Sequence, residues 1–189
     1  MVQTTQESAV RNGVNTEQLF GTLDLVKQQP ELGAFTFRAR NQWINGPHNR
    51  SQIQNFYGAS QEMERETPFI LDAGEPPVLV GDNEGPSPAE FLLHAIAACL
   101  TSSLVYVASA RGVRLNEVES HVEGDIDVQG ALGLDDSIPN GYSDIRVGVR
   151  VNADAPREKV QQLVERAQAR SAVFATLTQG TKVNVSLDD

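Results

Sequence analysis

Cys99 is the only cysteine in the 189-residue chain. A lone thiol cannot close an intramolecular disulfide. It is either a small core residue or a nucleophile that another molecule must reset. A nucleophilic thiol would do sulfur redox chemistry, passing through a sulfenic acid. Helical spacing puts Ala95, Ser102, Ser103 and Tyr106 on its face, at i−4, i+3, i+4 and i+7. That stripe is small and weakly polar, with room for a substrate or for a closely packed helix. The thiol sits about three turns into its helix, too deep for that helix's own dipole to lower its pKa. On this reading activation needs a cation from another element, and Arg38, Arg40 and Arg50 are the candidates. By residue type alone, a lone cysteine on an apolar helix is most often core.

Other chemistries find no residues to carry them. The chain has no G-x-x-x-x-G-K and no G-x-G-x-x-G, so no phosphate-cradling loop is expected. His48, His94 and His121 are dispersed and no His or Cys pair has ligand spacing, so neither metal nor cofactor is expected. A G-x-S-x-G elbow for a serine hydrolase is missing as well. The net charge of −10 disfavours nucleic acid and anionic membrane surfaces. Residues 1–7 are polar and acidic rather than leader-like, which points to the cytoplasm. Residues 91–110 are long enough to span a bilayer. Their Ala, Ser and Thr content and lack of flanking basic residues favour a helix buried in a protein core, and no membrane partner is expected.

The elements that must position Cys99 follow from periodicity. Residues 1–14 carry no pattern and read as a tail. Thr16 caps a helix over 17–28 that Pro30 stops. From Gly33 the period is two: Phe35, Phe37 and Ala39 alternate with Thr36, Arg38 and Arg40, a strand with one basic face. Asn45-Gly46-Pro47 turns the chain into a returning strand at 51–57. Residues 58–68 read as an acidic loop, and 68–71 and 78–80 as short extended segments. Ser87-Pro88-Ala89-Glu90 is a capping box that starts the Cys99 helix, and Gly112 ends it. Strands at 117–129 and 145–151 form a hairpin around a loop at 130–141. Asp154 caps a helix whose inner face is Val160, Leu163, Val164 and Ala167. Residues 171–178 are irregular or helical, and 181–187 alternate as a last strand. Strands grouped between isolated helices predict an α+β fold. The organisation is a tail and short helix at 1–32, then one domain at 33–189.

The run Gly85-Pro86-Ser87-Pro88-Ala89-Glu90-Phe91-Leu92-Leu93-His94-Ala95-Ile96-Ala97-Ala98-Cys99 resembles the signature of the OsmC/Ohr family, osmotically inducible and organic-hydroperoxide-resistance proteins. The resemblance continues through Arg170-Ser171-Ala172-Val173-Phe174-Ala175-Thr176-Leu177. It implies antiparallel sheets wrapped around a long buried central helix, and an intertwined homodimer with sites at the subunit interface. It also implies reduction of peroxides by two cysteines, one peroxidatic and one resolving. Cys99 matches the peroxidatic position. The resolving position falls on Ser171, whose hydroxyl cannot form a disulfide with a sulfenic acid. In such proteins an arginine of the first hairpin activates the thiol. The register after Asn45-Gly46 makes Arg50 the first choice and Arg38 the second, with Glu90 as a residue that could orient it.

Two readings follow. In the first, Cys99, with Arg50 and Glu90, reduces organic hydroperoxides as a single-cysteine peroxidase, and an external thiol resets it. Arg38, Phe91, Ile96, Tyr106 and Ser171 would contact the substrate. In the second, the protein is non-catalytic and binds an apolar small molecule at the dimer interface. The Cys99 pKa separates them. His94, five residues before Cys99 and about 140° around the helix, is not placed for proton transfer within that helix.

Overall fold

Asn12 and Gly13 turn the chain with positive φ, +50° and +79°, and close a hairpin between β1 (Val10–Arg11) and β2 (Val14–Asn15). An Asn-Gly pair suits such a turn because both residues tolerate the left-handed region. Residues 10–15 are therefore not the patternless tail their composition suggested. Residues 10–188 are described by a computed structural model, and the rest of that expected tail lies outside the described residues. The chain divides into two compact units, Glu17–Leu92 and a second that joins Leu93 onward to the N-terminal residues through Thr16.

In the Glu17–Leu92 unit, α1 (Thr16–Gln28) forms as its spacing predicts, and a 3-10 turn at Pro30–Gly33 follows. No residue of α1 is buried; Phe20, Leu23 and Leu25 are exposed. The first strand starts later than its alternation suggested. Residues 35–37 make only a Thr36–Tyr57 bridge, and Phe35, Phe37 and Phe56 stack with ring centroids 5.4–6.2 Å apart. Aromatic packing here displaces a ladder. The regular strand is β3 (Arg40–Asn45), which pairs antiparallel with β4 (His48–Ile53).

His48 and Arg50 thus lie on a strand, and the expected returning strand splits into β4 and β5 (Phe56–Gly58). The expected acidic loop contains β6 (Gln61–Met63), reached from β5 through Ala59 and Ser60, both at positive φ without a glycine to announce the turn. β7 (Phe69–Ala73) completes a sheet of order β3-β4-β7. The expected extended segment at 78–80 is instead a 3-10 turn, Pro77–Leu79, with Pro76 fixing its entry.

α2 (Pro88–Ala110) begins with the capping box as read: Ser87 N–H and Oγ–H both donate to Glu90 Oε2, at 2.8 and 3.0 Å, and Glu90 N–H donates to Ser87 Oγ at 3.3 Å. Gly112, at φ +70°, ends it. Within the single chain the helix is buried unevenly along its length. Ile96, Leu104, Ala108 and Ser109 are buried, while Phe91, Leu93, Ala95, Ala97 and Leu100 are only half-covered. The core explains the difference, because it gathers at the C-terminal half of α2, where Leu104 and Ala108 pack with Val113, Leu163 and Ala167. That packing identifies α2 as a core helix, although its length and apolarity would suffice to cross a bilayer.

In the second unit, β8 (Leu115–Asp125) and β9 (Asp144–Ala153) form the expected antiparallel hairpin over ten paired positions. Alternation turns Val118, Val122, Val147, Val149 and Val151 to the covered face. β8 ends before its expected limit because Asp127 accepts the Gln129 N–H at 3.0 Å and caps the short helix α3 (Val128–Ala131). α4 (Arg157–Gln168) presents Leu163 and Ala167 to the core. Its N-cap is Pro156 rather than Asp154, whose carboxylate instead accepts from Asn116 Nδ2 at 2.8 Å. α5 (Ala172–Gln179) follows. Residues 181–187 form no strand, and Val183, Val185 and Leu187 are exposed. The hairpin docks on the C-terminal end of α2: Asn12 Nδ2 donates to Ser109 Oγ at 3.1 Å and to Val113 O at 2.9 Å, and Asn12 Oδ1 accepts the Leu115 N–H at 2.8 Å.

Candidate active site around Cys99

Cys99 is partly buried on α2. Opposite it stands the N-terminus of α5. Residues 169–171 turn the chain out of α4, and Ser171 becomes the N-cap of α5, accepting the Phe174 N–H at 3.2 Å. Ser171 is 2 % exposed. The first N–H groups of any helix have no carbonyl partner within it. Here the hydroxyl of Ser171, the amides of Val173 and Ala172 and the hydroxyl of Ser103 are the donor groups that favour the charged form of the Cys99 thiol. Burial pushes the thiol up, but these four donors outweigh it, so Cys99 lies below the ordinary thiol range. The direction is that of a stabilised thiolate.

The helix N-terminus that Cys99 lacks on its own helix is thus supplied by another one. Residue spacing on α2 points to an arginine as the activating group and does not reveal α5 in that role. The sequence signal for α5 is Ser171 followed by Ala172-Val173-Phe174, a serine placed to cap. Ser103, on the expected stripe, also lowers the Cys99 pKa; Tyr106 on the same stripe is 54 % exposed.

The structure brings Cys99 and Ser171 together. Arg50, Arg38, Glu90 and Phe91 belong to the Glu17–Leu92 unit, where the first three have carboxylate or hydroxyl partners of their own. Arg50 Nε donates to Asp72 Oδ1 at 2.8 Å, and His48 Nε2 shares that oxygen at 2.8 Å. These two bonds hold the Asp72 carboxyl below its usual range, Arg50 first and His48 second. Arg38 is bound to Glu62, and the Glu90 carboxylate serves the capping box. Phe91 is half-buried, Ile96 is buried in the second unit, and His94 is exposed. Among the described residues no group of three or more His, Cys, Asp or Glu is placed to hold a metal. A cavity of about 240 Å³ opens in the same unit as Cys99, lined by Leu100, Leu104, Ile145, Val147, Val149 and Phe174 among others.

Comparison with known proteins places this geometry. A family model described as OsmC-like protein matches residues 81–186, which hold α2, Cys99 and Ser171. The crystal structure of an OsmC-like protein from Mycoplasma pneumoniae superposes with a TM-score of 0.57 at 16 % identity, over 80 % of this chain and 94 % of that one. An OsmC-like protein of unknown function from Vibrio cholerae gives 0.54 at 10 % identity, over 76 % and 94 %. An organic hydroperoxide resistance protein from Legionella pneumophila gives 0.48 at 17 % identity, over 77 % and 90 %. At these identities the likeness is one of fold. No curated protein matches the chain.

Proposed function

The chain belongs to the OsmC-like family, and from that premise we propose that it is a homodimeric, single-cysteine thiol peroxidase acting on organic hydroperoxides. The observation that carries this reading is the lowered pKa of the partly buried Cys99, to which Ser171, the Val173 and Ala172 amides, and Ser103 contribute. A thiolate held this way attacks the distal peroxide oxygen. The O–O bond breaks, the alkoxide leaves and takes a proton to become an alcohol, and Cys99 becomes a sulfenic acid. One external thiol then displaces water to give a mixed disulfide. A second releases Cys99 and leaves as the oxidised disulfide. The sum is one hydroperoxide and two thiols giving one alcohol, one disulfide and one water. An external thiol supply of this kind is that of the reducing cytoplasm, the location this reading requires.

The thiolate in this reading is stabilised from within its own unit. Arg50 and Glu90, and the substrate contacts Arg38, Phe91, Ile96 and Tyr106, enter it as positions to be tested by substitution. The uncovered apolar side chains of α1, Phe20, Leu23 and Leu25, support the homodimer.

The test is alkylation of Cys99 by a thiolate-selective probe across pH, with and without an equivalent of cumene hydroperoxide. A midpoint below that of a free thiol, and loss of the reactive thiol after peroxide, are expected. A slow, high-pKa thiol that ignores peroxide would exclude catalysis. Peroxide consumption that survives Cys99→Ser would do the same.

The cavity favours a second reading, a non-catalytic protein holding an apolar small molecule. Its walls are aliphatic and aromatic apart from Thr101, Ser120 and Gln168, and Cys99 is not among its lining residues. Under that reading Cys99→Ser leaves binding of an apolar dye intact while no peroxide is turned over by either protein.

A further inference from the structure

The basic face of the first hairpin plays no part in the donor ring around Cys99. Between Glu31 and Glu62 the chain carries Arg38, Arg40, His48 and Arg50 and no acidic residue, within a sequence of net charge −10. Two of the three arginines are neutralised by carboxylates. Arg38 forks onto Glu62, with Nη1 to Oε2 at 2.8 Å and Nη2 to Oε1 at 2.9 Å, and Arg50 is held by Asp72. Arg40 has no carboxylate partner among the described residues.

Arg40 lines a polar cleft of about 350 Å³ together with Arg38, Gln52, Gln54, Asn55 and Glu62. The register of β3 and β4 sets it directly across from Gln52. The amides in the cleft are fixed by one another and by Arg65. Gln52 Nε2 donates to Gln54 Oε1 at 3.1 Å, Gln54 Nε2 donates to the Arg65 carbonyl at 3.0 Å, and Asn55 Oδ1 accepts the Arg65 N–H at 3.1 Å. Those bonds leave one acceptor, Gln52 Oε1, and one donor group, Asn55 Nδ2, without a protein partner. The Arg38–Glu62 pair contributes to the wall without competing for the Arg40 guanidinium. A planar guanidinium free of carboxylates matches a ligand carboxylate in a two-pronged bond.

We propose that this cleft binds a small organic carboxylate with a hydroxyl on the adjacent carbon. Arg40 takes the carboxylate, Asn55 Nδ2 donates to it, and Gln52 Oε1 accepts the hydroxyl. The site lies within the Glu17–Leu92 unit and stands independently of the chemistry of Cys99.

The test is NMR titration of the full-length protein with lactate, acetate and inorganic phosphate, following the Arg40 Nε–H and the side-chain amides of Gln52 and Asn55. Lactate is expected to shift all three saturably and to bind more tightly than acetate or phosphate. Arg40→Gln should weaken lactate binding at least about tenfold, the scale of a charge-assisted bond, and Gln52→Ala should erase the preference for lactate over acetate. An unchanged thermal midpoint in both variants keeps folding out of the comparison. Equal lactate shifts in Arg40→Gln overturn the proposal. So does phosphate binding as tight as lactate, which would reduce the cleft to a bare positive charge.

Discussion

Ser171, the N-cap of α5, lowers the Cys99 pKa through its hydroxyl while its Oγ accepts the Phe174 N–H at 3.2 Å. One side chain therefore starts a helix and stabilises a thiolate. Ser171→Ala removes both effects. The cap is worth about 1 kcal/mol, seen as a lower midpoint in chemical denaturation. The alkylation midpoint of Cys99 should rise toward that of a free thiol. The sign can be checked a second way. The folded thiol titrates low, so its contacts add stability above the unfolded thiol pKa, and that stability is lost as pH falls through the folded value. Ser171→Ala should shrink the stability gained between neutral and alkaline pH relative to the parent. A variant that loses stability equally at every pH would mean that Ser171 only caps.

The same contact makes a second thiol easy to place. Ser171→Cys puts a second sulfur at the position whose hydroxyl already acts on the Cys99 thiol. Peroxide treatment of Ser171→Cys should give an intramolecular disulfide, read by mass spectrometry as the loss of two hydrogens and two alkylation sites. The parent protein should give sulfenic acid, trapped by dimedone. Failure of the disulfide to form at stoichiometric peroxide would mean that Cys99 is not oxidised there.

The parts of this site legible in the sequence were those set by local rules. Ser87 through Glu90 announced the start of α2, Gly112 its end, and the β8–β9 hairpin followed from strict alternation at Val118, Val122, Val147, Val149 and Val151. The pairing of Cys99 with α5 was not legible, because it joins residues more than seventy positions apart and depends on how α4 turns into α5. Ala59 and Ser60 hid the β5–β6 turn by adopting positive φ without glycine or asparagine. The alternation of Val183, Val185 and Leu187 was real in the sequence, yet 181–187 form no strand in this chain, because a strand exists only when a neighbour pairs with it.

Glu90 separates the two roles the sequence allowed it. Its carboxylate accepts from Ser87 N–H and Oγ–H, so Glu90→Ala should cost about 1 kcal/mol through loss of the capping box. Cys99 should keep its low alkylation midpoint, since none of its four donors touches Glu90. Glu90→Gln should restore most of the stability, because its side-chain oxygen still accepts from Ser87. A marked rise in the Cys99 midpoint in either variant would return Glu90 to the chemistry.

Asn12 tests the least expected part of the fold. It donates to Ser109 Oγ and Val113 O and accepts from Leu115 N–H, tying β1–β2 to the end of α2 and the start of β8. Ser109, 1 % exposed, returns a bond to the Arg11 carbonyl at 3.0 Å. Asn12→Ala strips the Val113 carbonyl and the Leu115 amide of these bonds, at a cost of about 2–3 kcal/mol. It also loads a left-handed residue with a side chain poorly suited to it. Asn12→Gly keeps the turn and loses only the bonds. Urea denaturation should show both variants destabilised, glycine by nearly as much as alanine, and hydrogen exchange should quicken at Leu115. If glycine were neutral, the hairpin would owe its place to the turn alone and not to the three bonds made by the Asn12 amide.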